Sequence, residues 1–232
     1  MRNFSLIKIT YNKLNTAKTQ NTLKKSLLFP AIFVLTLWGI KLIEIIFSVN
    51  LTRYGIIPNK ISGLIGLLFF PLLHSDFGHL ISNSIPLLIL GIAINYFYPL
   101  SSKKIWFLMY IIPGLFVWFF GRNGIHIGAS GIVYGLWSFI FFSGVIRRDR
   151  RAIALALLAL FIYGGLIIGI FPIKKGVSWE GHFAGFFAGI VFAFLFRNKD
   201  KYQQYEWESE PKTEEKPEIS YDKNFEDDET GK

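Results

Sequence analysis

Long apolar runs dominate this sequence, and they decide its solvent before they decide its fold. A helix needs about 20 mostly apolar residues to cross the hydrocarbon core of a bilayer. Six stretches approach or meet that need, at residues 28–48, 79–98, 105–120, 129–146, 152–170 and 180–196, the third and sixth being short. Backbone N–H and C=O groups in lipid must be paired within the protein, so this pattern predicts an all-α membrane protein of six helices. The apolar run 61–73 carries Gly63, Gly66 and Pro71 in too short a length for a span. It is expected to be an interfacial or partly inserted part of a first loop covering residues 51–78. Composition agrees, since 52% of the 232 residues are hydrophobic and 17% aromatic, too apolar for a soluble domain of this size.

Charge divides the chain into three parts. A basic segment, 1–27, precedes the membrane domain, 28–196, and an acidic tail, 197–232, follows it with Pro211, Pro217 and no apolar periodicity, as a disordered extension would. Up to residue 196 there are 18 basic and 4 acidic side chains, clustered between the apolar runs. That placement fits membrane loops and disfavours a nucleic-acid partner. Alternate connections, leaving out the tail, hold 12 and 5 Lys and Arg residues. The positive-inside rule therefore puts both termini in the cytoplasm, and the second, fourth and sixth helices start at the outer face. The first run lacks a small-residue cleavage site and reads as a retained helix rather than a signal peptide. With zero cysteines, a disulfide framework, a thiol nucleophile and an iron–sulfur cluster are excluded.

Polar side chains near membrane spans mark function by default, because lipid makes them costly. His79 and Asn83 open the second stretch, Ser130 the fourth and His182 the sixth. Three distant parts of the sequence thus bring four such groups to one shallow level on the outer side. His79 and Asn83, at i and i+4, share a helix face, and Ser130 and Tyr134 repeat that spacing. Gly131 and Gly135, then Gly181, Gly185 and Gly189, form GxxxG steps that let helix backbones approach closely. Close approach is what a Ser130–His182 hydrogen bond requires. A serine hydroxyl is a weak nucleophile until a base lies within reach, and histidine suits that task. The oxyanion it generates needs fixed donors, which His79, Asn83 and the Ser130 backbone N–H at a helix start supply.

No carboxylate completes a triad. Glu44 lies deep near Lys41 as an expected ion pair, Asp149 is on the other side, Asp76 precedes the second helix, and Glu180 faces away from His182. A Ser–His dyad is expected, with the Tyr134 ring orienting the imidazole. His74 and His126 read as structural loop residues. His74, His79 and His182 have no carboxylate at ligand spacing, so no metal is expected, and no P-loop, dinucleotide fingerprint or HExxH motif implies a cofactor.

These residues resemble the rhomboid family of intramembrane serine proteases. Gly128-Ala129-Ser130-Gly131 is similar to the family's GxSG around its nucleophile, His74, His79 and Asn83 match its second-helix pattern, and Gly181-His182-Phe183-Ala184-Gly185 resembles its histidine motif. A GxSG alone is a packing motif, but three motifs in order on the appropriate helices are specific. The resemblance covers about residues 68–196. It implies a six-helix bundle that cleaves transmembrane protein substrates at an outward-opening cavity, with Ser130 as nucleophile and His182 as base. It further implies an oxyanion hole of His79, Asn83 and the Ser130 N–H, with Gly128, Gly131, Tyr134, Gly185 and His74 supporting. The chain departs from the family in its first loop, where Arg53 follows Thr52 rather than tryptophan.

Two other classes fit the sequence less well. A silent rhomboid-like binder of membrane segments is expected to lack Ser130 or His182, and a transporter is expected to carry charges on broken helices near mid-membrane. The absence of cysteine and the Lys-, Ile- and Asn-rich composition point to a bacterial cytoplasmic membrane.

Overall fold

In the computed structural model, residues 22–173 and 176–201 are described. They belong to one of two compact units of the chain, Met1–Tyr202, while the other, Gln203–Lys232, lies outside the described residues. Most of the acidic tail and the basic segment up to residue 21 lie outside them as well.

Seven α-helices and no strand occur among the described residues. Six are long: α1 (Thr22–Ile46), α2 (Phe77–Phe97), α3 (Ser102–Phe120), α4 (Ser130–Arg147), α5 (Arg150–Tyr163) and α6 (Trp179–Leu195). The seventh, Gly66–Phe69, is one turn within a series of short turns in the first loop. Five of the long helices, counting α5 with its 3-10 continuation Gly164–Ile170, are long and apolar enough to cross a membrane. At 17 residues, α6 is shorter and spans about 25 Å.

Several boundaries differ from those expected. Helix α1 starts at Thr22 rather than residue 28, because Lys24 and Lys25 are exposed on its first turns and need not end it. The third helix is not short. It has 19 residues and takes in Lys103 and Lys104, whose exposed side chains reach past the apolar surface. Helix α2 starts two residues early because the Asp76 carboxylate accepts from the His79 N–H at 2.9 Å and caps it. The fifth stretch is not α-helical throughout, tightening to a 3-10 helix at Gly164 and Gly165.

Helix α4 is the most enclosed of the candidate spans, with 67% of its apolar window buried. Its neighbours are held by packing and by polar pairs that satisfy groups lipid cannot. Trp137 Nε1 donates to the Ala159 carbonyl of α5 at 3.1 Å, and Ser138 Oγ to the Phe186 carbonyl of α6 at 2.8 Å. On the other side of the bundle, Trp38 Nε1 donates to Ser84 Oγ at 3.1 Å and ties α1 to α2. Asn95 links three helices, donating to the Ser26 carbonyl and accepting from Trp106 Nε1, both at 3.1 Å.

The α4–α6 contact is set by glycines. A Cβ on Gly185 would fall on the Gly131 carbonyl, and one on Gly131 would lie 3.2 Å from the Gly181 carbonyl. Because the obstacle at Gly185 is backbone, Gly185→Val is expected to cost about 3 kcal/mol by overpacking. Thermal unfolding of the variant in detergent checks this, and an unchanged midpoint would mean the helices are not in contact there.

Candidate active site

Ser130 is the first residue of α4, and the loop before it is held from two sides. Ile56 and His126 exchange backbone hydrogen bonds of 2.9 Å, and the Gly128 N–H donates to the Phe70 carbonyl at 2.7 Å. Gly128 has φ +110°, a conformation that glycine adopts without strain. No side chain caps the helix at Ala129. The Ser130 and Gly131 amides are among those a helix leaves unpaired, with the positive end of the peptide dipoles behind them.

His182 sits one turn into α6, 7% exposed, with its Nε2 2.7 Å from Ser130 Oγ. Its Nδ1 is 2.9 Å from the carbonyl oxygen of Gly169, in the 3-10 segment after α5. A carbonyl only accepts, so the network assigns the proton to Nδ1 and leaves the Nε2 lone pair toward the serine hydroxyl. The Tyr134 ring lies over the imidazole, with centroids 4.2 Å apart and planes 8° from parallel. One serine, one imidazole and two orienting contacts converge here. The expected role of Tyr134 accords with this stacking. Gly169 was not singled out by the sequence, since a backbone carbonyl has no side-chain signature.

His79 and Asn83 come to the same place from α2. A Cβ built on Gly128 would lie 2.6 Å from His79 Nε2 and 3.9 Å from Asn83 Nδ2. The missing side chain therefore lets the His79 ring pack directly against the loop two residues before the serine. Asn83 is buried and gives one amide hydrogen to the His79 carbonyl at 3.1 Å, so its second remains for another acceptor. The four residues expected to share one level do come together.

His74 is 1% exposed and meets His79 edge to face, with ring centroids 4.9 Å apart. The loop carrying it is pinned by Lys41, whose Nζ donates to the His74 and Ser75 carbonyls and to Glu44, each at 3.0 Å. The Lys41–Glu44 pair thus anchors α1 to the start of α2. Asp76, on the exposed turn before α2, is held below the usual carboxylate range, first by the Ser75 hydroxyl and then by the His79 amide.

Burial lowers the His74 pKa to about 4, helped by the neighbouring His79. Between about 4 and 6.5 the unfolded chain therefore binds the extra proton and the folded one does not, so stability falls as pH falls across that window. At 1.36 kcal/mol per unit, the loss attributable to His74 reaches about 3 kcal/mol. His74→Gln is expected to flatten unfolding midpoints measured from pH 7 to 4, and an unaltered slope would remove His74 as the cause.

A second polar network braces the loops above the site. Arg122 pairs with the buried Glu180 at 3.1 Å and donates to the Val177 carbonyl. His126 Nε2 donates to the Arg122 carbonyl at 2.9 Å, which leaves Nδ1 to accept from Ser178 Oγ at 2.7 Å. Glu180 serves this brace rather than His182. Among the described residues, no three His, Asp or Glu side chains are grouped to hold a metal ion.

The family model of the Rhomboid domain matches residues 62–199, more than half of the chain. The chain belongs to the rhomboid family. The match takes in α2 to α6 and part of the first loop, the elements that carry all four polar groups of the site. Family membership and the apolar helices make this rhomboid an integral membrane protein. It is similar to an uncharacterized protein of Mycobacterium tuberculosis, 38% identical over 174 residues, covering 70% of this chain and 72% of that one. An uncharacterized protein of Mycobacterium leprae is 34% identical over 174 residues, 70% and 68% of the two chains. RHOMBOID-like protein 1 of Arabidopsis thaliana is 28% identical over 148 residues, which is 60% of this rhomboid and 36% of the plant protein.

Proposed function

We propose that this rhomboid is an intramembrane serine endopeptidase that cuts other transmembrane proteins in or near their membrane segments. The observation carrying this reading is the 2.7 Å contact between Ser130 Oγ and His182 Nε2, on an imidazole whose other nitrogen is bonded to Gly169. In that tautomer Nε2 takes the hydroxyl proton as Oγ attacks the scissile carbonyl carbon. The oxyanion is held by the Ser130 N–H, the free Asn83 amide hydrogen and His79, whose ring packs against Gly128. The imidazolium then protonates the leaving amine. Water, deprotonated by His182, hydrolyses the acyl-serine and restores the enzyme. No metal or cofactor is needed for any step.

The topology belongs to the same proposal. Six helices cross the membrane, α6 as a short span, with both termini in the cytoplasm. The site then opens near the outer surface of a bacterial cytoplasmic membrane, where water for hydrolysis is at hand. The 12 to 5 distribution of Lys and Arg supports that orientation.

Asn83→Ala is expected to lower kcat by about 100- to 1,000-fold with little change in KM, because an oxyanion donor acts mainly in the transition state. A loss confined to KM would take Asn83 out of the oxyanion hole. The reading as a whole is tested by reconstituting the full chain in liposomes with single-span reporter proteins. Membrane-dependent scission of a reporter is the expected result. A failure to cut any reporter, from a folded protein with an unreactive Ser130, would shift the function to binding without proteolysis.

A further inference from the structure

The face opposite the site carries a second concavity. A pocket of about 300 Å³ lies where α4 and α6 end, lined by Ile146, Arg147, Asp149, Arg197, Asn198 and Lys201. Segments 147–151 and 197–201 hold seven basic residues against Asp149 and Asp200. Asp149 lines the pocket and offsets one of the three positive charges there, Arg147, Arg197 and Lys201, leaving the lining net positive. Asp149 caps α5 through the Ala152 N–H at 2.9 Å and pairs with Arg147 at 3.2 Å, while Asp200 accepts from the Leu100 N–H at 2.7 Å.

Arg147 is fixed in place. Its side chain is 4% exposed, its guanidinium lies 5.4 Å from the Tyr98 ring centre, and it donates to the Asp200 carbonyl. Arg151 shares that carbonyl at 2.9 Å. With exposed Arg197 and Lys201 beside it, the pocket wall that Arg147 anchors is net positive and suits a phosphate. One to three residues from the pocket's Ile146 and Arg197, the apolar side chains Val145, Phe194 and Leu195 are 49%, 54% and 58% exposed. An acyl chain covers such surface, and a soluble anion or an acidic peptide does not.

We propose that this pocket binds the phosphodiester headgroup of an anionic phospholipid, with the acyl chains lying along the ends of α4 and α6. The lipid would fasten together the α2–α3 turn, the α4–α5 turn and the segment after α6, all of which meet at Arg147 and Asp200.

The test is a titration of the full chain, purified in neutral detergent, with dioleoylphosphatidylglycerol and dioleoylphosphatidylcholine, bound lipid being counted by native mass spectrometry. Phosphatidylglycerol is expected to be retained over phosphatidylcholine. Juxtamembrane basic residues contribute about fivefold each to anionic lipid binding, so Arg197→Ala with Lys201→Ala is expected to weaken retention by about 25-fold. Both side chains are exposed at the chain's surface, so folding is not at stake. The control is Lys103→Ala with Lys104→Ala, which removes equal charge from the start of α3 and is expected to change retention less than twofold. Equal losses in the two double variants, or none in the first, would overturn the site. Displacement of the lipid by free glycerol phosphate at matching concentration would overturn the assignment to a lipid.

Discussion

Replacing Ser130 with alanine is expected to abolish cleavage and leave the fold nearly untouched. Oγ is the atom proposed to attack the scissile carbonyl, and nothing nearby substitutes for it. The removed hydrogen bond, to His182 at 2.7 Å, is worth about 1 kcal/mol net. Ser130 is half-buried at the start of α4, where a methyl group fits the space of a hydroxymethyl. Rates are expected to fall by on the order of 10,000-fold or more, as when the nucleophile of a serine hydrolase is deleted. Reporter cleavage in liposomes and a thermal melt of the same preparation read both quantities. Cleavage within tenfold of the parent would transfer the nucleophile's role to another group.

His182→Ala is expected to lower the rate as far as Ser130→Ala, but with a different stability signature. The imidazole is 7% exposed, stacked on Tyr134 and bonded to Gly169. Deleting it opens a cavity between α4, α6 and the 3-10 segment, at a cost of about 2–3 kcal/mol. The sharper expectation concerns the pair. Groups that act as a unit are not additive in their effects on rate, so the double variant Ser130→Ala, His182→Ala is expected to be no slower than either single one. Multiplicative losses in the double variant would mean that the two side chains act in separate steps.

Much of the site could be read from the residues because its chemistry is carried by side chains at helical spacings. His79 with Asn83, and Ser130 with Tyr134, lie one turn apart on their own helices, and the glycines of α4 and α6 announce the close contact that brings His182 to the serine. What stayed hidden is backbone. The Gly169 carbonyl that assigns the His182 tautomer and the Phe70 carbonyl that holds Gly128 belong to segments whose side chains give no hint of either bond. Tertiary pairing hid the rest. The reach of Arg122 to Glu180, across 58 residues, and the meeting of Arg147, Arg151 and Asp200 depend on loop paths that periodicity does not specify. The helix boundaries failed for a related reason. Lysines at the start of α1 and α3 look like loop residues, yet on exposed first turns they extend a helix instead of ending it.

The measurement closest to the central claim is covalent labelling by a fluorophosphonate probe, in which the attacking oxygen bonds to phosphorus and fluoride leaves. A serine reacts only if a base has activated it, so the readout is independent of any substrate. The parent chain in detergent is expected to be labelled at Ser130, and Ser130→Ala and His182→Ala to remain unlabelled. A folded parent that takes up no label, or a Ser130→Ala variant that is labelled as fully as the parent, would contradict the dyad on which the proposed protease activity rests.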